Sequence, residues 1–286
     1  MSERPETEAV DAESEVVDLC RELLQIDTSN YGDGSGPGER AAAELVAERL
    51  AEVGLEPELF ESEPGRANVV VRIPGRDRDR PALVVHGHLD VVPADASEWQ
   101  VDPFAGEERE GMLWGRGAVD MKDMDAMMLA AFRARAREHR PPARDVVLAF
   151  FADEEAGGEA GAGWAVKHRP EIFEGASEAV SEVGGFSVDV AGQRAYLVQV
   201  AEKGLAWLRL VASGRAGHGS FVNTDNAVTR LAEAVARIGQ HPWPLALTDS
   251  TRALLQGVAD LTGLPFEPED PATVDALLEA LGPASR

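Results

Sequence analysis

The chain has a single cysteine, Cys20, in 286 residues, so no intramolecular disulfide can form. Lysine is nearly missing; it stands only at positions 122, 167 and 203, and arginine supplies the remaining positive charge. The 27 basic residues face 51 acidic ones, a formal net charge of −24. A surface of that sign repels nucleic-acid backbones and anionic membranes, so neither is expected as a partner. The denser arginine stretches, 76–80 and 133–144, are short and read as solvated loop and helix face. There is no long apolar run. The longest, residues 146–152, is far too short to cross a bilayer. The first fifteen residues have neither an apolar core nor a basic flank, so an ordinary secretory signal is not expected there. A cytoplasmic globular protein is the expectation. A phosphate loop is missing too. The glycine-rich segment 27–40, DTSNYGDGSGPGER, lacks the Gly-Lys-Ser/Thr ending and does not fit G-x-G-x-x-G, so it reads as a flexible loop and a nucleotide-binding role is disfavoured.

At roughly 150 residues per domain, the length predicts about two domains. Apolar residues recur at helical spacing over 13–26, and a helix is expected over 39–53, closed by Gly54. Strands are expected at 57–61, 68–73, 82–86, 146–152 and 179–182, with helices at 119–137 and near 158–167. The runs ALVV and VVLAFFA are continuously apolar, as strands covered on both faces should be. Strands alternating with helices predict a layered α/β domain. Near residue 200 the texture changes to strand-like segments at 194–201 and 205–212, an amphipathic helix at 226–238 with Asn226 as its cap, and two short helical patterns. The expected division is 1–202 for the α/β domain and 203–286 for a smaller α+β domain.

Four groups of acids and histidines fall where strands are expected to end, the usual ligand side of an α/β sheet. In VVHGHLDVVP, His88 and Asp90 are two apart and point the same way from an extended segment. A metal-bound imidazole commonly gives its other N–H to a carboxylate, although a lone His-x-Asp is more often a satisfied histidine in a turn, and His86 reads as a structural residue at the strand end. In WGRGAVDMKD, Asp120 lies near a helix start, where the dipole alone would favour it; Asp123 and nearby Asp125 suit capping and exposed helix surface. In AFFADEEAGG an apolar strand runs into Glu154 and Glu155; in AVSEVGGF, Glu182 follows a short apolar strand. Histidine and carboxylates without cysteine suit catalytic Zn²⁺, with Co²⁺ or Mn²⁺ as substitutes, and their number points to a two-metal site.

GHLDVVP, GRGAVDMKD, DEEAGG and SEVGG, in this order, closely resemble the co-catalytic zinc peptidases that include aminoacylase, glutamate carboxypeptidase, acetylornithine deacetylase and succinyl-diaminopimelate desuccinylase. The resemblance covers most of residues 13–240. It implies an α/β/α catalytic domain with an inserted α+β lid and dimerisation domain. It implies two Zn²⁺ ions: His88 and Glu182 on the first, Glu155 on the second, Asp120 bridging both. Asp90 would stand behind His88, and Glu154 would be the general base for cleaving an amide bond of a peptide or N-acyl amino acid. The 120–121 peptide bond would be cis. GRAGHGSFVNTDNAV resembles the family's lid segment, with His218 reaching the partner subunit's active site in a homodimer.

One departure bears on activity. The family's chain returns from the lid to the catalytic domain and supplies a last metal-ligand histidine. Here the only histidine after His218 is His241, in a QHPWP turn, a poor candidate for that ligand. The expectation is a chain lacking the C-terminal part. The alternative reading is a catalytically inactive family member that acts as a binding or dimerising subunit.

Overall fold

The computed structural model describes residues 11–183, 187–201, 203, 204, 206 and 208–282. The chain forms two compact units, Met1–Val183 and Gly184–Arg286. The change of texture near residue 200 therefore falls inside the second unit.

The first unit opens with α1 (Ala12–Leu24), whose N-cap Asp11 accepts the backbone N–H of Ser14. Helix α2 (Arg40–Ala51) is followed by Gly54 at φ 79°, the left-handed conformation expected of a glycine after a helix. Strands β1 (Glu58–Glu63), β2 (Arg66–Ile73) and β3 (Ala82–His88) come next. A small hairpin follows, β4 (Glu107–Arg109) with β5 (Met112–Trp114), in a stretch that reads as loop from sequence. Then come α3 (Lys122–Arg137), β6 (Val146–Phe151), α4 (Ala162–His168) and β7 (Ala176–Val180).

Five strands form one mixed sheet in the order β1-β2-β6-β3-β7. Strand β3 runs parallel to both β6 and β7, so these three strands end at the same edge. Strands β2 and β6 are antiparallel, as are β1 and β2. Every residue of β6 is buried, and its side chains alternate between two hydrophobic layers. Val146, Leu148 and Phe150 join Leu19, Leu23, Val46, Leu50 and Leu129 from the three long helices. Val147, Ala149 and Phe151 face Ala165 and Ile172 on the other side. Both faces are covered, as the unbroken apolar run predicts.

The second unit has a hairpin of β8 (Ser187–Val190) and β9 (Gln193–Tyr196), then α5 (Ala227–Gln240), α6 (Asp249–Thr262) and α7 (Pro271–Ala280). Val190, Leu255, Val258, Val274 and Leu277 form its core. Asn226 caps α5 through its side-chain oxygen, which accepts from Val228 and Thr229. The strand expected at 194–201 stops at Tyr196. Of the strand expected at 205–212, Leu205 and Trp207 lie outside the described residues, and the described residues 208–212 form no strand. Among the described residues no helix is long and apolar enough to cross a membrane.

Candidate metal centre

His88 is the last residue of β3 and is 3 % exposed. Its Nδ1 lies 3.0 Å from the backbone carbonyl oxygen of Asp90, and the Asp90 carboxylate is farther off at 3.6 Å. A carbonyl oxygen only accepts, so Nδ1 carries the hydrogen, and in the neutral ring the lone pair sits on Nε2. That nitrogen faces carboxylates: Asp120 Oδ1 at 3.1 Å, Glu182 Oε2 at 3.4 Å and Glu154 Oε2 at 3.7 Å. One donor atom each from His88, Asp120 and Glu155 lies within 4.8 Å of the others.

The elements explain the convergence. Parallel strands β3, β6 and β7 deliver His88, the Asp153–Glu154–Glu155 turn and Glu182 to one edge of the sheet. Asp120 arrives differently. It precedes α3, at the helix start expected for it and next to a cis peptide bond between Asp120 and Met121, rather than at the end of a sheet strand like the other three groups. Asp125 also departs from expectation. It is fully buried, with neither carboxylate oxygen hydrogen-bonded, where sequence suggests a cap or an exposed helix position. Its Oδ1 occupies the space a side chain on Gly87 would fill, which is why β3 carries glycine one residue before His88. His86 is half-buried against the Phe151 ring.

Asp90 does more than face His88. Fully buried, it accepts the backbone N–H of Glu154 and of Glu155, each at 3.0 Å, so it shapes the turn carrying both glutamates. Asp153, at φ 68°, sits in the left-handed region that Asp tolerates better than most side chains. Sequence reasoning missed Asn30 and Arg66, which join Asp90 and Asp153 into one network. The only sequence signal for Asn30 was a polar residue in the glycine-rich segment, and Thr28, Ser29 and Asn30 there are buried rather than flexible surface.

The electrostatics fit a bound cation. Burial works to lower the His88 pKa, but Asp90, Asp125 and Glu154 outweigh it and push it up to about 10. Burial, reinforced by Asp120, lifts Glu155 to about 7 despite the His88 ring, and burial also raises Glu154. Among the described residues, the ion-pair partner of Asp120, Glu154 and Glu182 is the His88 ring. The carboxylate oxygens gathered at Nε2 call for a positive charge there, a proton on the ring or a metal ion in its place. Histidine and carboxylate donors without thiolate suit Zn²⁺, Co²⁺ or Mn²⁺.

The sequence model of Peptidase family M20/M25/M40 matches residues 84–281, which include every residue of this cluster. The chain belongs to that family. Aminoacylase-1 of Sus scrofa is 32 % identical over 226 residues, covering 78 % of this chain and 53 % of the relative. Succinyl-diaminopimelate desuccinylase of Rhodospirillum centenum is 35 % identical over 167 residues, covering 57 % of this chain and 42 % of the relative. Human carnosine dipeptidase 1 superposes with a TM-score of 0.61 at 17 % identity, covering 92 % of this chain and 61 % of that one. An M20 family metallo-carboxypeptidase from Sulfolobus solfataricus does so with 0.61 at 19 % identity, covering 92 % and 62 %. The two structures carry the same fold. This M20/M25/M40 chain spans about half the length of the aminoacylases it matches.

His218 belongs to the second unit, where it is exposed and its Nδ1 pairs with the Ser220 hydroxyl at 2.8 Å. His241 sits edge-on to Trp243 in the same unit. Gly184 and Gly185 of the SEVGG motif lie outside the described residues.

Proposed function

We propose that this protein is a divalent-metal hydrolase that cleaves an amide bond of a peptide or an N-acyl amino acid. The observation that carries the reading is the convergence of His88, Asp120 and Glu155 donor atoms within 4.8 Å, with Glu182 at 3.4 Å from the same His88 nitrogen. His88 and Glu182 would hold one ion, Glu155 a second, and Asp120 both. Zn²⁺ is the expected metal. When bound, the ions supply Lewis acidity to a water and to the scissile carbonyl.

The chain's own groups do the rest. Asp90 and the buried sheet edge hold the His88 ring with Nε2 free. Glu154 takes a proton from the attacking water and delivers it to the leaving amine nitrogen as the C–N bond breaks. Burial raises the Glu154 pKa, which brings its carboxyl closer to the range where it can both accept and give back a proton. His218 is the proposed partner for the oxyanion, supplied across a homodimer formed through the second unit. The resemblance to aminoacylase and desuccinylase supports an N-acyl amino acid, and the carnosine dipeptidase fold a small peptide. The setting is cytoplasmic in this reading, in keeping with a single buried thiol at Cys20.

The test is amine release from N-acetyl amino acids and dipeptides by zinc-loaded protein, with and without chelator. The reading expects turnover that the chelator abolishes. Equal amine release with and without chelator contradicts it, as does no release from any substrate by protein shown to hold zinc.

A further inference from the structure

We propose that Asn30 is a positioning residue of the metal centre, its side-chain amide joining Asp90 to Asp153 and so setting where His88 and the Glu154–Glu155 turn present their donor atoms. This rests on the metal-centre reading above and adds to it a residue outside all the acidic motifs.

Asn30 is 5 % exposed and lies in the segment between α1 and α2. That segment is tied to the end of β3: Ser29 bridges Val91, and the Asn30 backbone N–H donates to the Val91 carbonyl at 2.9 Å. The Asn30 amide nitrogen then donates both hydrogens, to Asp90 Oδ2 at 2.8 Å and to Asp153 Oδ1 at 3.1 Å. Its amide oxygen accepts from Arg66 Nη2 at 2.9 Å and from the Gly32 backbone N–H at 3.0 Å. All four hydrogen-bonding positions of the side chain are thus used. The orientation of the amide follows from its partners. Carboxylates accept and a guanidinium donates, so only one assignment of nitrogen and oxygen satisfies all of them.

The chemistry of the two acids explains why an amide is needed here. Asp90 is fully buried and Asp153 is 8 % exposed. Each is committed to backbone. Asp90 holds the Glu154 and Glu155 N–H groups, while Asp153 Oδ2 accepts from Ala160 at 2.9 Å. Two buried carboxylates converging on one point repel unless a donor stands between them. The NH₂ of Asn30 is that donor, and it is aimed by Arg66, which is itself held by buried Glu39 at 2.5 Å. Asp90 in turn gives its backbone carbonyl to His88 Nδ1. Moving Asn30 therefore moves both the imidazole and the glutamate turn, through hydrogen bonds and without contact with the ion.

The experiment is a Co²⁺ titration of the full chain, followed by visible absorption, for wild type, Asn30→Ala and Asn30→Asp. The near-UV circular dichroism of each metal-free protein reports folding. Asn30→Asp keeps the shape and the Arg66 pair but turns a donor into an acceptor facing two carboxylates. Both variants should stay folded, bind Co²⁺ about 10–100-fold more weakly and give an altered visible spectrum, because outer partners of metal ligands set ligand orientation. Wild-type affinity and spectrum in both variants overturn the role of Asn30 and leave the metal centre standing. Loss of the near-UV signal in both metal-free variants also overturns it, since Asn30 is then a folding residue. A wild-type chain that binds no Co²⁺ removes the metal centre itself.

Discussion

Asp120 Oδ1 lies 3.1 Å from Nε2 of His88, a residue 32 positions earlier in the chain. One ends a buried strand, and the other sits at a cis peptide bond just before α3. Nδ1 of the same ring is spent on the Asp90 carbonyl. The imidazole is thereby aimed, and the carboxylates of Asp120, Glu154 and Glu182 gather at its free nitrogen.

Glu154 and Glu155 should fail differently when made into amides. Glu154→Gln should keep its bound metal and lose turnover by about 10²–10⁴-fold, the range for a positioned general base. Glu155→Gln should lose metal first. Elemental analysis of both proteins after gel filtration separates them, and equal metal loss would show that the roles are misassigned.

Gly87→Ala should destabilise the fold. A Cβ there meets Asp125 Oδ1 at 2.2 Å, Met121 Cε at 2.8 Å and Met128 Cε at 2.9 Å. The methionines can give way, but Asp125 is fully enclosed. A loss of about 1–3 kcal/mol is expected for such overpacking, read from thermal or urea unfolding. An unchanged midpoint would mean that Asp125 can leave its buried position at no cost.

Glu15 ties α1 to α3. It accepts from Arg137 Nη1 at 2.8 Å and Nη2 at 2.6 Å, and from Arg133 Nη2 at 3.2 Å. Burial works to raise its pKa, but these arginine hydrogen bonds outweigh it and hold it below the usual 4.5. A carboxyl depressed on folding adds stability that is present above its unfolded pKa and is lost as pH falls through the folded one. Glu15→Gln should therefore cost about 1.5–3 kcal/mol at pH 7, the range for hydrogen bonds to charged groups. The gap from wild type should narrow as pH falls below 4.5. Urea titrations at several pH values check this, and a gap that stays constant down to low pH would exclude the ion pairs as its source.

The main sheet was legible because an apolar run such as 146–151, flanked by prolines and charge, is too short for a buried helix and reads as a strand covered on both sides. The acids after β3 and β6 were legible for a related reason, since charge directly after a largely buried strand has few places to go, whereas β7 is exposed beyond Ala176 and Glu182 was legible only together with the other motifs. Hairpin β4–β5 was not. Its first strand is Glu-Glu-Arg and exposed, so it carries no hydrophobic alternation to read. Asp125 was misjudged because helical periodicity at a polar residue argues for exposure, and nothing local shows that Gly87 has left a space for it. Asn30 was hidden among glycines, in a segment whose order comes from long-range bonds to Val91, Asp90 and Asp153. Those partners lie 60 or more positions away, beyond the reach of any local pattern.

The most direct test of the metal centre is calorimetric titration of Zn²⁺ into the full chain and into His88→Ala at neutral pH. His88 is the one residue whose ring nitrogen meets Asp120, Glu154 and Glu182 together. The account predicts a tight isotherm for the wild type that is lost in His88→Ala, with the variant still folded by circular dichroism. The same tight isotherm in both proteins, or no binding heat in the wild type, would contradict it.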